Sequence, residues 1–99
     1  MVLDSNQVIR KIQENRDRIK AYGVRRLGLF GSVVRNTAGT ESDLDFLVEF
    51  EKKSFDAYMD LRAYLEGLFG ARVDLVLPNT LKPRLRDSIL KETRYVPGF

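Results

Sequence analysis

The sequence predicts an α/β (α+β) fold, a small mixed β-sheet with helices packed against it. Two observations carry this. Apolar residues recur at helical spacing, then at strand spacing, in the order α-β-turn-β-α-β-α. The 99 residues, 43% of them hydrophobic, suffice for one modest core, so a single domain over residues 1–99 is expected.

Asp4 with Gln7 three residues on marks a helix start, and Val8, Ile9, Ile12, Ile19 and Tyr22 continue an apolar stripe to Gly23, predicting one helix over about residues 5–22. Residues 24–30 hold Leu27, Leu29 and Phe30 and stop at Gly31, which fits a strand entering a tight turn. The stretch 36–42 is polar and turn-forming, and 44–50 is rich in apolar and β-prone residues, predicting a second strand directly after Asp43. Ser54 can cap a helix carrying Phe55, Tyr58, Met59, Arg62, Leu65 and Phe69, closed by Gly70. Val73, Leu75 and Leu77 alternate with Asp74 and Val76 in a third strand ended by Pro78. Thr80 is expected to cap a last helix with Pro83 in its first turn, one stripe through Leu81, Leu85 and Ile89, and a reach to Arg94.

The composition narrows the chemistry. The chain has no cysteine and no histidine, so disulfides, thiolate chemistry, zinc-finger sites and His-based triads are excluded. Any catalysis rests on carboxylates, hydroxyls, lysines or arginines. No apolar run approaches the ~20 residues that span a bilayer, and residues 1–10 lack an apolar stretch of signal-peptide length. A cytoplasmic protein without a membrane partner is therefore expected. The net charge of +3 favours an anionic partner. Aromatic residues do not cluster with the basic ones as stacking platforms would, so direct nucleic-acid binding is not expected.

Alternation along a strand aims Asp43 and Asp45 to the same side of the second strand, with Leu44 facing away. Asp74 likewise points opposite to Val73 and Leu75, so three carboxylates converge if the two strands are neighbours. Clustered carboxylates repel one another unless a cation lies between them, and an oxygen-only donor set selects Mg²⁺ or Mn²⁺ over zinc or copper. Asp43, Asp45 and Asp74 are thus both the candidate catalytic and the candidate metal-binding residues. Just upstream, Gly31 lets backbone approach a ligand and Ser32 offers a hydroxyl and the start of a short helical turn, an arrangement suited to a phosphate. Arg35, one turn on, can pair with a phosphate oxygen or with Glu41.

The run Gly31-Ser32-Val33-Val34-Arg35, six residues, then Ser42-Asp43-Leu44-Asp45 resembles the motif of the polymerase-beta-like nucleotidyltransferase superfamily. Residues 25–50 and 72–86, with Val-Asp-Leu-Val and Leu-Lys-Pro segments, look like the minimal nucleotidyltransferase (MNT) family. The resemblance implies the nucleotidyltransferase fold and an antitoxin encoded beside a HEPN-domain ribonuclease toxin. It also implies transfer of AMP from ATP to a tyrosine of that toxin in a hetero-oligomer. Residue by residue, Gly31 and Ser32 would hold the triphosphate, Asp43 and Asp45 would bind two Mg²⁺ ions, Asp74 would complete the site and Ser42 would support the turn. Asn36 departs from the glycine common after the arginine, a change left-handed backbone tolerates. With no further domain to clasp a base or acceptor, the partner is expected to finish the site. The rival reading is a binding module that neutralises its partner by occlusion, through the apolar and basic surface of residues 81–94.

Overall fold

The computed structural model describes residues 4–35, 43–52 and 54–99. Its elements run α1 (Ser5–Glu14), α2 (Arg16–Lys20), β1 (Val24–Phe30), β2 (Leu44–Phe50), α3 (Phe55–Phe69), β3 (Val73–Val76), α4 (Pro83–Glu92) and β4 (Arg94–Tyr95). The four strands form one mixed sheet in the order β3-β2-β1-β4. Strand β2 is antiparallel to β1 and parallel to β3, the parallel pair being joined through α3.

Strand alternation divides the sheet into two faces. Leu27 and Leu29, Leu44, Phe46 and Val48, and Val73 and Leu75 turn to one side and meet Val8, Ile12, Ile19, Leu61 and Leu65 from α1, α2 and α3 in a single buried cluster. Phe46 is fully buried there, and its ring lies 6.1 Å from that of Phe69. The odd-numbered positions of β2 and the even-numbered ones of β3 face the other way, and Asp45 and Asp74 are among them.

The expected first helix is two. Asn15 breaks the run with φ −112° and ψ 19°, and its side-chain amide donates to the Lys11 carbonyl at 2.9 Å. An asparagine that bonds backbone locally competes with helix continuation. The stripe survives the break, since Ile19 is still fully buried. Strands β1 and β2 and helix α3 match the expected bounds. Ser54 caps α3 by accepting from the Ala57 amide, and Gly70 closes it at φ 62°.

The C-terminal expectation is corrected. Thr80 caps nothing: it ends a 3₁₀ turn over Pro78–Thr80, and its hydroxyl donates to the Leu77 carbonyl at 2.7 Å. The helix begins at Pro83 with Lys82 at the cap and ends at Glu92. Arg94 lies in a strand, β4, that pairs with Gly28 and Leu29 of β1. The stripe through Leu81, Leu85 and Ile89 is not a core face, because no residue of α4 is buried and Leu85 is 47% exposed.

The outer edge of β3 is closed by side chains of α3. Glu66 accepts from the Val73 amide (3.2 Å), Arg62 donates to the Val73 carbonyl (3.2 Å), and the Tyr58 hydroxyl donates to the Leu75 carbonyl (2.8 Å). An edge whose polar groups are taken offers little to a foreign strand. Phe46→Ala, which empties the centre of the core, is expected to cost about 3–5 kcal/mol in urea unfolding.

Candidate active site

Topology brings three chain segments to one end of the sheet. Because β1 and β2 are antiparallel, the end of β1 lies beside the start of β2; because β2 and β3 are parallel, both start at that end. Asp45 pairs with Phe30 on one side and with Asp74 on the other. Gly31 follows Phe30 directly, and Asp43 sits just before β2.

Gly31 has φ 84°, a left-handed conformation, and is buried. A Cβ built on it would run into the Asp45 carboxyl, with the Asp45 Cγ only 2.9 Å away. The glycine thus answers two demands, a positive φ and the close seat of a carboxylate. After it the chain makes one helical turn, the amides of Val34 and Arg35 donating to the Gly31 carbonyl at 3.1 and 3.2 Å. This is the short turn expected from Ser32 to Arg35.

Asp45 is half-buried, whereas Asp43 and Asp74 are exposed. The Asp45 carboxyl is pushed up from its ordinary 3.8 to about 6, first by burial and then by the charges of Asp74 and Asp43, with Arg35 opposing them and Glu92 adding to the rise. Two of the expected carboxylates, Asp74 and Asp43, therefore act electrically on the third, Asp45. Among the described residues, however, no three side chains of metal-ligating type are gathered closely enough to hold one ion. The donors on hand are all carboxylate oxygens, which suits a hard divalent cation placed against Asp45.

Arg35 is engaged through one of its nitrogens. Its Nη1 donates to both oxygens of Glu92, at 3.2 and 3.0 Å, and Glu92 Oε1 also accepts from the Gly31 amide at 3.2 Å. Glu92, at the end of α4, was not singled out by sequence spacing; no motif connects it to residues some sixty positions earlier. Ser32 sits at intermediate depth in the turn. Ser42, expected to support the turn, lies outside the described residues, as do Asn36 and Glu41.

Residues 8–96 match the family model of the nucleotidyltransferase domain. The chain is 46% identical over 76 residues to the protein adenylyltransferase MntA of Thermococcus cleftensis, covering 76% of this chain and 77% of that one. A solved structure described as a candidate minimal nucleotidyltransferase superposes with a TM-score of 0.71 at 36% identity, over 93% of this chain and 95% of the other. The complex of a tri-AMPylated HEPN toxin with its MNT antitoxin from Shewanella oneidensis shares the fold, with a TM-score of 0.57 at 20% identity, over 88% and 72% of the two chains.

The raised pKa sets a pH dependence of stability. The folded state holds the Asp45 proton more tightly than the unfolded state, so stability from this group is full below about pH 4, falls between pH 4 and 6, and stays low above. Asp45→Asn removes the ionisation and keeps the shape. It is expected to raise Tm above wild type at pH 8, with the two melting curves converging at pH 4 in differential scanning calorimetry. Gly31→Ala, in contrast, should lower Tm at both pH values, because the added methyl meets the carboxyl group.

Proposed function

Since the chain belongs to the nucleotidyltransferase domain family, we propose that it moves AMP from ATP to a hydroxyl of a partner protein, a tyrosine of a HEPN-domain toxin, and so acts as an antitoxin. The observation that carries the reading is the placement of Asp45 between Asp74 and the Gly31 turn. The neighbouring carboxylates of Asp45 and Asp74 meet the Gly31–Arg35 turn at one sheet end, where a divalent cation and a triphosphate are needed together. The relative named a protein adenylyltransferase supports the adenylyl donor and a protein acceptor. The MNT–HEPN complex supports the partner class.

Asp43, Asp45 and Asp74 would hold Mg²⁺, two ions in the full site. Bound there, Mg²⁺ supplies charge neutralisation for the triphosphate and a lower pKa for the acceptor hydroxyl. The chain's own residues orient the reactants. The Gly31–Ser32 turn receives the phosphates, and Asp45, already crowded by negative charge, fixes where positive charge must lie. The acceptor oxygen attacks the α-phosphorus in line, the new P–O bond forms as the bond to the β-phosphate oxygen breaks, and pyrophosphate leaves with that electron pair. The hydroxyl proton passes to a carboxylate, for which exposed Asp74 is the accessible member of the pair.

The exposed α4 surface also favours neutralisation by covering the partner, since none of its residues is buried. Intact mass spectrometry of both proteins after incubation with Mg²⁺ and each ribonucleoside triphosphate separates the two readings. Transfer predicts one or more AMP masses on the toxin, and a loss of about two orders of magnitude or more in rate for Asp43→Asn or Asp45→Asn. Occlusion predicts no added mass and a stable complex that survives Asp43→Asn.

A further inference from the structure

Glu92 binds both ends of one helical turn. Its Oε1 accepts from the Gly31 amide and from Arg35 Nη1, and its Oε2 lies 3.0 Å from the same Arg35 nitrogen. Gly31 and Arg35 are four residues apart and are themselves joined, the Arg35 amide donating to the Gly31 carbonyl. A single carboxylate therefore closes a ring through backbone, guanidinium and turn. The ring is sheltered on the Glu92 side, whose side chain is 22% exposed against 56% for Arg35. Glu92 is in turn fixed from behind: the chain leaves α4 at Thr93, whose hydroxyl donates to the Ile89 carbonyl (2.6 Å), and enters β4, which pairs with β1 just ahead of Gly31.

We propose that Glu92 is a positioning residue of the nucleotidyl-transfer site, holding the Gly31–Arg35 turn in the conformation that receives the triphosphate. The inference rests on the transferase reading above. Its physical basis is that Gly31 touches both halves of the site. Its amide is held by Glu92, and its Cα is where the Asp45 carboxyl seats. A shift of Gly31 displaces the turn amides and the carboxylate together. Arg35 then serves as a strut for the turn, its Nη1 being held by both oxygens of Glu92. An ion pair this close gains from the second hydrogen bond to the backbone amide, which an exposed pair lacks.

Two variants test this. Glu92→Ala removes both contacts; Glu92→Gln keeps an amide oxygen that can accept from Gly31 and from Arg35. Binding of ATP with Mg²⁺ is measured by calorimetry, transfer by initial rates, and the tie itself by the hydrogen exchange of the Gly31 amide. Expected for Glu92→Ala are faster Gly31 exchange and an apparent KM for ATP raised about 10- to 100-fold, with Glu92→Gln recovering most of both. Arg35→Ala is expected to act in the same direction, and Glu92→Ala combined with it to lose little more than either alone. Unchanged Gly31 exchange, or an unchanged KM in a folded Glu92→Ala, would overturn the proposal. So would tighter ATP binding by Glu92→Ala, the result if the carboxylate merely competes with phosphate for Arg35. Wild type that neither binds ATP nor transfers AMP would overturn the transferase reading and this inference together. Normal wild-type activity with an indifferent Glu92→Ala removes the inference alone.

Discussion

The seat of the Asp45 carboxyl against Gly31 is the constraint on which the site end of the molecule depends. A central strand can offer a carboxylate beside its neighbour's turn only if that turn has no side chain in the way, and the left-handed φ of 84° at Gly31 also requires glycine. Once β1 must end in such a turn, its antiparallel partner β2 begins at the same place. The parallel strand β3 then sets Asp74 directly beside Asp45. The close approach, the strand directions and the carboxylate pairing are one arrangement, and none of its parts can shift alone.

What fixes Asp74 lies elsewhere. Strand β3 has only four residues and occupies the sheet edge, where a strand this short is held weakly by its ladder alone. Three side chains of α3, Tyr58, Arg62 and Glu66, fall on successive turns of one helix face and bond the outward-pointing backbone groups of Val73 and Leu75. The helix that bridges the two parallel strands thereby also sets the register of the second. Polar residues at helical spacing on α3, which a core-centred reading would pass over, are what hold the third carboxylate in place.

Much of this was legible in the residues, and the reason differs from element to element. Strands β1 and β2 are readable because Gly31 and the polar stretch after it separate two runs rich in apolar and β-prone residues, and α3 because Ser54 and Gly70 mark both of its ends. The two-residue β4 is too short to carry a period, and it exists only because β1 offers an edge. The break at Asn15 turns on which carbonyl a side-chain amide finds, and the false cap at Thr80 on a Pro78 turn that claimed its hydroxyl first. The placement of Asp45 on the face away from Leu44 followed from alternation, which is local, whereas Asp74 comes beside it only because β3 pairs with β2. Glu92 could not follow from anything local, since its meaning comes from where α4 happens to end.

The division of the sheet into two faces explains how so small a domain tolerates a charged cluster. Most of the apolar burial, from Val8 to Val96, is on the helical side, while Leu47 is buried on the face that carries Asp45. Asp45 and Asp74 lie on the opposite face, outside the main apolar cluster, so repulsion among the carboxylates does not have to be absorbed by the main packed core. That repulsion is still felt: burial and like charge together hold Asp45 near pH 6 rather than 3.8, which makes the charged form costly. A fold that keeps such a group ionised at neutral pH stores free energy, which on the transferase reading a cation at Asp45 would release. The tighter Asp45 is held against Gly31, the less it can escape that cost by turning to solvent. The steric seat of the glycine and the electrostatic character of the site are thus the same property of the chain.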